Sequence, residues 1–478
     1  MRRLSTIATL AALACAAAPA AAQHGTTPPP AGPLRPFRVP QPEEFTLSNG
    51  VRVVVVPQHA LPIVDGRILV RSGSFYEPAA KAGLAQLTGN LLDQGVPGMT
   101  ASQIAARMDR LGAQFSTSAG YATAFVDVTA LKDVFGEAMA IAARTVVEPT
   151  FPESEFTRTR TSMLAGAVQR QSTVEGLAAE AFVRAVFPAG SPYARVPGGS
   201  RATLETLTLN DVKEWHRQMY SPANTTLLLV GDLTAAEARS IAQQALGSWS
   251  APAVRVPEVA TPVQPVTGTR IILVDRPGSV QSGLWIGQAG MGYADPQYYP
   301  MVALSQVLGG GLKARMNASL RERHGWTYAA FTNFNPRATV GTFGVTTSVR
   351  TNATDSAVAE VVREYRRIAA EPVPAEELQL ATANIVGSFP NTVQTVQGLT
   401  GRIETLLAYG LPLSFWSTYR ERIAAVTPAD VARVGREKLT PNAITVVVAG
   451  DLSKIEQPIR ALNLGTVEVW DPLGNKVR

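Results

Sequence analysis

The second half of this 478-residue chain repeats its first half, and this repeat restricts the fold more than any other feature of the sequence. Residues 268–274 (GTRIILV) resemble residues 50–56 (GVRVVVV) at an offset of 218. Residues 444–452 (ITVVVAGDL) resemble residues 225–233 (TTLLLVGDL) at an offset of 219. Because opposite ends of the repeated unit share nearly the same offset, the pattern indicates duplication of a whole domain and not an array of short repeats.

Each copy is predicted to be an α+β layer. Nearly continuous β-branched runs at residues 51–56 and 63–70 are typical of buried strands, and the segments between the strands favour helices. The order of these elements indicates a mostly antiparallel sheet covered by helices. We therefore expect two homologous layers that face each other as a clamshell and enclose a cleft.

Proline-rich segments mark the expected domain boundaries. Between an N-terminal domain at residues 44–250 and a C-terminal domain at residues 268–465, residues 251–267 contain four prolines and predict a stiff linker. Residues 23–43 are a second proline-rich stretch, which we expect to be an extended leader outside the fold.

Residues 1–22 have the pattern of a secretory signal peptide, in which Arg2 and Arg3 precede an apolar run and small residues form a cleavage site. The run is short and rich in alanine, which disfavours a transmembrane anchor. The pattern predicts a periplasmic protein whose mature chain has no membrane span. Cleavage would also remove Cys15, the only cysteine, and so exclude disulfides and thiolate ligands.

The charge of the chain gives no reason to expect nucleic acid as a partner. The formal charge is +6, and removal of the two arginines near the N-terminus leaves +4 (6 minus 2). This charge is spread without basic clusters, whereas nucleic-acid-binding proteins concentrate theirs on one face.

The stretch of residues 309–328 (GGGLKARMNASLRERHGWTY) is the part of the chain best suited to chemistry. A glycine triplet is predicted to open a short helix that ends near Arg321. The helix would bury a face of residues four apart, namely Leu312, Met316 and Leu320. Gly325 interrupts the helical period, and residues 326–331 have the aromatic and β-branched content of a strand.

This corner brings together Arg321 and Tyr328, a guanidinium and a phenol that could both donate hydrogen bonds to one carbonyl oxygen. The residues alone leave a second interpretation open, in which Arg321 is a solvated charge and Tyr328 an aromatic at the rim of the core. The triplet of Gly309, Gly310 and Gly311 offers free backbone donors that suit peptide carbonyls. No Gly-Lys-Ser/Thr follows the triplet, which argues against nucleotide binding.

Residues 309–328, together with residues 276–282 (RPGSVQS) and 295–299 (DPQYY), resemble the second half of pitrilysin-type zinc peptidases. This family includes the insulin-degrading and mitochondrial processing enzymes, and the chain is most similar to its bacterial members. The resemblance implies that Arg321 and Tyr328 assist a zinc site housed in the other half of the protein by binding the substrate next to the bond that is cut.

The first half resembles the same family up to its zinc-binding helix and then departs from it. Residues 81–85 (KAGLA) resemble the lead-in to the family's His-x-x-Glu-His motif, but the next five residues are QLTGN. Gln86, Gly89 and Asn90 therefore stand where the two histidines and the glutamate would be. Carboxamides are weak zinc donors, and glycine cannot act as a base.

The third zinc ligand of the family, a glutamate, would fall within residues 163–168 (MLAGAV), which contain no carboxylate. Glu175 lies about two helical turns too late in the sequence. We therefore expect no metal and no cofactor in this chain, and zinc in a partner subunit.

The resemblance and the missing ligands together predict the zinc-less subunit of a periplasmic peptidase that is built from two different subunits. We expect it to be inactive alone, with a homologous zinc-bearing subunit as its partner and a peptide as the substrate. The alternative is a non-catalytic peptide-binding or scaffold protein of an envelope complex. An independent serine hydrolase is disfavoured because the chain has no Gly-x-Ser-x-Gly elbow. The four histidines also lack ligand-like spacing: His24, His59, His216 and His324.

Overall fold

The structure is a computed structural model that describes residues 37–254 and 256–478. The predicted signal peptide and most of the predicted leader lie outside the described residues. The strands of the first half are β1 (Glu43–Thr46), β2 (Arg52–Pro57), β3 (Ile63–Val70), β4 (Gly95–Val96), β5 (Met99–Thr100), β6 (Gln114–Ala119), β7 (Ala124–Leu131) and β8 (Thr225–Gly231). Its helices are α1 (Leu84–Gly89), α2 (Ala101–Arg110), α3 (Lys132–Val147), α4 (Glu153–Gln171), α5 (Val174–Val186), α6 (Arg201–Thr206), α7 (Leu209–Met219) and α8 (Ala235–Leu246).

The second half follows the same plan. Its strands are β9 (Arg270–Asp275), β10 (Gln281–Met291), β11 (Ala330–Asn335), β12 (Val340–Arg350), β13 (Thr445–Gly450) and β14 (Thr466–Trp470). Its helices are α9 (Tyr298–Gly309), α10 (Arg315–Asn317, continued by a π-helical turn over Ala318–Arg323), α11 (Thr354–Ala370), α12 (Ala375–Ser388), α13 (Val396–Tyr409), α14 (Tyr419–Ala424), α15 (Pro428–Lys438) and α16 (Leu452–Ala461). None of the helices in the described part of the chain is both long and apolar enough to cross a membrane.

Each half contains one six-stranded sheet, and the two sheets share the order of five strands. The sixth strand differs, because β1 comes first in its half and runs antiparallel to β2, whereas β14 comes last in its half and runs parallel to β9. The first runs β1-β2-β8-β3-β7-β6 and the second runs β14-β9-β13-β10-β12-β11. The strands predicted from the repeat occupy equivalent places, since β2 pairs parallel with β8 in one half and β9 pairs parallel with β13 in the other. Pairs such as β3 with β7 and β10 with β12 are antiparallel. The predicted α+β fold of two homologous, mostly antiparallel layers is confirmed.

Each half packs one of its helices on the sheet of the other half. This exchange was not predicted from the sequence. Helix α5 belongs to the first half but packs on β10 and β13 of the second, whereas α13 belongs to the second half and packs on β3 and β8 of the first. The exchanged helices are themselves a repeat, because α5 begins with TVEGL and α13 with TVQGL. In both, the N-cap threonine accepts a hydrogen bond of 3.1 Å from the glycine amide three residues later: Thr173 from Gly176 and Thr395 from Gly398.

The contacts under the two exchanged helices differ in polarity. Beneath α5, the ring of Phe182 stacks on Trp285 with 3.6 Å between the ring centroids, and apolar strand residues surround the pair. Beneath α13, Arg67 on β3 donates to Asp127 (2.6 Å) and to Glu404 on α13 (2.5 Å). The carboxyl of Asp65 is buried beside them, and this burial raises its pKa to about 6. The halves are thus held by an apolar contact on one side and a charged network on the other.

Candidate functional site

Helix α1 occupies the place where the family carries its zinc-binding motif. Leu84 and Leu87 of this helix are buried, as is Leu91 just beyond its end. The carboxylate of Glu77 accepts hydrogen bonds of 3.0 Å from the amides of Gly83 and Ala85 at the start of the helix. Burial raises the pKa of Glu77 to about 7, although these amide bonds favour the charged form. Glu77 therefore serves the fold of α1, since both its oxygens are occupied by backbone donors.

The position of the missing general base is closed by strand β6. Helix α1 ends at Gly89, and a Cβ atom on this residue would lie 2.6 Å from the carbonyl carbon of Ser118 and 2.8 Å from the amide nitrogen of Ala119. The next residue, Asn90, accepts a hydrogen bond of 2.9 Å from the Ser118 hydroxyl through its side-chain oxygen. The strand therefore occupies the space that a glutamate side chain at this position would need.

The other positions of a zinc site also carry unsuitable groups. Residues 163–168 fall within α4 without a carboxylate. The guanidinium of Arg170 donates to Glu180 (3.1 Å) and to the carbonyl of Gly199 (2.7 Å). The side chains of Arg170 and Gln86 both approach Gly198. A Cβ atom on this glycine would lie 3.3 Å from Arg170 Nη1 and 3.0 Å from Gln86 Oε1. A metal cation here would face the positive charge of Arg170, and the carboxylate of Glu180 is already paired with that guanidinium.

Across the described residues, no group of three or more histidine, cysteine, aspartate or glutamate side chains is arranged to hold a metal ion. Together with the closed position at Gly89, the donor set in this half does not fit zinc.

The stretch around Arg321 folds differently from the prediction in three respects. The glycine triplet ends α9 and does not open the following helix, which begins at Arg315. Leu312 is 59% exposed, so only Met316 and Leu320 form the buried face. Strand β11 begins at Ala330, which leaves Tyr328 in the preceding loop. The prediction from helical periodicity was wrong here, because the residues between α9 and Arg315 form a loop.

Arg321 and Tyr328 nevertheless lie side by side. The guanidinium carbon of Arg321 is 5.4 Å from the ring centroid of Tyr328, and Arg321 Nε is 3.4 Å from the Glu322 carboxylate. The Tyr328 side chain is 87% exposed, an unusual position for a large aromatic residue. Tyr328 is therefore open to a carbonyl group brought from outside the chain, and the Arg321 side chain, which is 33% exposed, is partly accessible.

Asn317 fixes the loop that carries Tyr328. Its fully buried side chain accepts a hydrogen bond from the Ala330 amide (2.9 Å) and donates to the carbonyls of Ala330 (2.8 Å) and Gly311 (3.0 Å). The amide of Trp326 donates to the Leu320 carbonyl over 2.9 Å. The glycine triplet, the helix end and the start of β11 are thus joined by one side chain.

The glycine triplet is more closely packed than its sequence suggests. A Cβ on Gly309 would lie 2.4 Å from the Thr332 hydroxyl, and the amide of Gly310 donates to the Gln306 carbonyl over 3.0 Å. The expectation of free backbone donors is therefore wrong for Gly310, whose amide completes the last turn of α9. The role of Gly309, Gly310 and Gly311 in substrate binding stays a prediction.

A cleft of about 590 Å³ opens beside Tyr328, between α5 and the second sheet. Trp285, Thr346 and Phe331 form a row across β10, β12 and β11 and so lie on one face of the sheet. Glu175 from α5 reaches the same cleft and accepts a hydrogen bond from Ser348 on β12. Sequence reasoning considered Glu175 only as a zinc ligand. The repeat of TVEGL and TVQGL could have shown that α5 and α13 are equivalent, but not which sheet each of them covers.

Comparison with known proteins shows which family the chain resembles. Residues 52–188 match the family profile described as insulinase (peptidase family M16), and residues 206–385 match the one described as peptidase M16 inactive domain. An uncharacterized zinc protease of Rickettsia bellii is 25% identical over 84% of this chain and 96% of its own length. The non-peptidase homolog YmxG of Helicobacter pylori is 21% identical, over 84% of this chain and 93% of its own.

A solved structure has the same fold. The crystal structure of a peptidase M16 inactive domain from Pseudomonas fluorescens superimposes with a TM-score of 0.78 at 25% identity, covering 86% of this chain and 98% of the other. The two profiles and this structure agree with a fold of two homologous layers. The chain belongs to the insulinase family of peptidases, family M16.

Proposed function

We propose that this chain is the zinc-less subunit of a heteromeric peptidase, and that it supplies Arg321 and Tyr328 to an active site completed by a homologous zinc-bearing subunit. The observation that carries the proposal is the exposed pair itself, since Tyr328 is 87% exposed and has a guanidinium 5.4 Å from its ring. The match to an inactive M16 domain and the similarity to a protein named a non-peptidase homolog support a chain without its own metal chemistry.

In this proposal the two residues act on the carbonyl oxygen of the bond that is cut. A zinc ion in the partner would supply an activated water and polarise the carbonyl. As negative charge develops on the carbonyl oxygen, the phenol of Tyr328 and the guanidinium of Arg321 donate hydrogen bonds to it. Donors that are already in place when the charge forms stabilise the transition state without reorganisation, and each typically contributes two to three powers of ten in rate.

The test is peptide turnover by the complex of this chain with its zinc-bearing partner. Tyr328→Phe should slow cleavage at least tenfold while leaving the affinity of the two subunits unchanged. Tyr299→Phe removes a hydroxyl elsewhere in the same half and serves as the control. Equal turnover by the Tyr328→Phe complex and the wild type would exclude the catalytic role.

The second candidate is a peptide-binding or scaffold protein that cleaves nothing, and the closed position at Gly89 is equally consistent with it. Affinity purification of the chain under native conditions separates the two. The first proposal requires a co-purified subunit with His-x-x-Glu-His, and its absence would favour the second. Secretion to the periplasm is part of both proposals and can be checked by N-terminal sequencing of the mature chain.

A further inference from the structure

A cavity of about 470 Å³ lies at the edge of the second sheet, between strand β11 and the helices α9, α13 and α14. Its polar lining includes three tyrosines, one threonine and one arginine: Tyr293, Tyr298, Tyr419, Thr332 and Arg402. Of the described residues that line this cavity, Arg402 alone is charged. We call it the Arg402 cavity, and the proposed peptidase function uses none of these five side chains.

The charge of Arg402 is not compensated within the protein. Among the described residues no aspartate or glutamate is paired with Arg402, whose guanidinium packs instead on the Trp416 ring, 4.9 Å from its centroid. Such stacking uses the flat face of the guanidinium and leaves its in-plane N–H groups free to donate. The equivalent residue of the other exchanged helix is Glu180, which is paired with Arg170 (3.1 Å) and Arg184 (3.5 Å). The repeat therefore balances the charge at this position in α5 but not in α13.

Hydroxyl groups add neutral donors around this charge. Those of Tyr293, Tyr298 and Tyr419 have no hydrogen-bond partner in the part of the chain that the structure describes. Burial raises the pKa of Tyr293 and Tyr419 to about 12 and that of Tyr298 well above its usual range, although Arg402 acts in the opposite direction. The phenols therefore stay protonated at neutral pH and can donate. The hydroxyl of Thr332 is also buried without a described partner.

The tyrosine rings are fixed by contacts with one another and with their neighbours. The ring centroids of Tyr293 and Tyr298 are 5.4 Å apart, and Tyr298 packs against Phe334 at 5.8 Å. On its other side, Tyr293 stacks on Tyr409 at 5.4 Å. Because packing already holds these donors, a ligand that accepts hydrogen bonds from them loses little binding energy to ordering the site.

We propose that the Arg402 cavity binds the carboxylate of an organic acid, either a free small molecule or the C-terminal residue of a peptide. The planar fork of a guanidinium matches the two oxygens of a carboxylate, and the phenols donate to the same oxygens. One guanidinium balances one carboxylate, whereas a phosphate dianion would keep an uncompensated charge. Phe334 and Val302 offer apolar walls to the body of the acid. This site goes beyond the proposed peptidase function and does not depend on it.

The test measures ligand binding to this chain alone by isothermal titration calorimetry. One pair of probes is N-acetyl-phenylalanine and its amide, and the other is an N-acetylated tetrapeptide of three alanines and a C-terminal phenylalanine, again with its amide. Both acids should bind with a Kd of about 1 mM or lower, as expected for ligands of this size. The amides should bind at least about tenfold more weakly, because they lose the charged hydrogen bonds. Tighter binding of the tetrapeptide assigns the site to a peptide end, and tighter binding of N-acetyl-phenylalanine assigns it to a free acid.

Two variants place this preference in the Arg402 cavity. Arg402→Met keeps an apolar contact with Trp416 but removes the charge, and it should reduce the preference for acids over amides to less than about twofold. Tyr293→Phe removes only a hydroxyl and should weaken binding of the acids about threefold to tenfold. Arg422→Met is the matched control, since Arg422 also packs on an aromatic ring, 5.2 Å from the centroid of Tyr299, but lies outside the cavity lining.

The proposal is overturned if neither acid binds at about 10 mM, a concentration well above the Kd expected for such ligands. It is also overturned if the amides or inorganic phosphate bind as tightly as the acids, or if Arg402→Met keeps the preference with an unchanged melting temperature. Should Arg402→Met lower the melting temperature, Tyr293→Phe decides, because binding of the acids as tight as in the wild type would then exclude the site.

Discussion

Gly89 lies so close to Ser118 that a Cβ atom on the glycine would be 2.6 Å from the serine carbonyl carbon. The missing catalytic glutamate is thus not a simple substitution, because the neighbouring strand now fills the space. Backbone atoms of β6 fill the space beside Gly89, which agrees with the proposed subunit that leaves the metal chemistry to another chain.

We predict that Gly89→Ala destabilises the fold by about 1–3 kcal/mol, because the added methyl group forces β6 away from α1. Gly136→Ala in α3 is the matched control, since a Cβ there meets no atom within 4 Å. In a helix this change should be neutral or stabilise by up to about 1 kcal/mol. Urea unfolding of both variants checks the prediction, and an equal response would show that the contact at Gly89 is loose.

Rebuilding the motif should not restore zinc. In the triple variant Gln86→His, Gly89→Glu and Asn90→His, the new glutamate would overlap β6 and α4 would still lack the third ligand. Mass spectrometry of metals in the purified variant should therefore find far less than one zinc per chain. A stoichiometric zinc content would show that β6 yields and that another group completes the site.

The charged network under α13 should make stability depend on pH. Burial raises the pKa of Asp65 from 3.8 to about 6, with a further increase from the nearby Asp127. The folded state therefore holds this proton more tightly than the unfolded state, and the stability from the protonated form is present below about pH 4 and is lost as the pH rises through 6. At 1.36 kcal/mol per pKa unit, the effect amounts to at most about 3 kcal/mol.

Asp65→Asn removes this titration. Its free energy of unfolding, relative to the wild type, should therefore rise between pH 4 and pH 7. Urea titrations across this range measure the difference, which does not depend on the absolute cost of the amide. A constant difference would mean that Asp65 is ionised in the folded protein throughout.

Substitutions at the exposed pair should leave stability unchanged. Because Tyr328 is 87% exposed, Tyr328→Phe should change the free energy of unfolding by less than about 0.5 kcal/mol. Arg321→Lys should have an equally small effect, although it loses the planar fork that binds a carbonyl. Any loss of peptide turnover in these variants can then be attributed to the site, whereas a large drop in melting temperature would show a structural role.

Asn317→Ala, in contrast, should lower the free energy of unfolding. It removes three hydrogen bonds from a fully buried side chain and leaves the Ala330 amide without its acceptor, so we expect a loss of about 2–4 kcal/mol. Asn384→Ala, at an exposed position of α12, is the control and should cost less than about 1 kcal/mol. The loop around Tyr328 should also lose protection from hydrogen exchange, and unchanged protection would mean that other contacts hold it.

Local patterns predicted much of this fold. The strands at residues 51–56 and 63–70 follow from their β-branched runs. The helices follow from capping residues such as Thr100, which forms a capping box with Gln103. The prediction that Leu312 lies on the buried face of a helix was wrong, because helical spacing does not show where a helix begins after three glycines. Periodicity also shows which face of α5 is apolar, but not which sheet covers it, so the place of Glu175 in the cleft was out of reach.

The sequence predicted which chemical groups the site contains better than it predicted how those groups pack. The absence of zinc ligands followed from residue identity at 86, 89 and 90, but the approach of β6 to Gly89 depends on how α1 packs against the sheet. The contact between Arg321 and Tyr328 was expected from their spacing and survives a different local structure, because the loop held by Asn317 returns the tyrosine to the helix end.

The exchange of α5 and α13 has a consequence for the history and the dissection of the molecule. Two copies of a single half, each lending its helix to the other, would form a two-fold symmetric dimer, and the linker joins such a pair into one polypeptide. Either half expressed alone would leave a sheet face bare and carry a helix with nothing to cover. Fragments cut at the linker should therefore reassemble when mixed, as the two pieces of a split protein do.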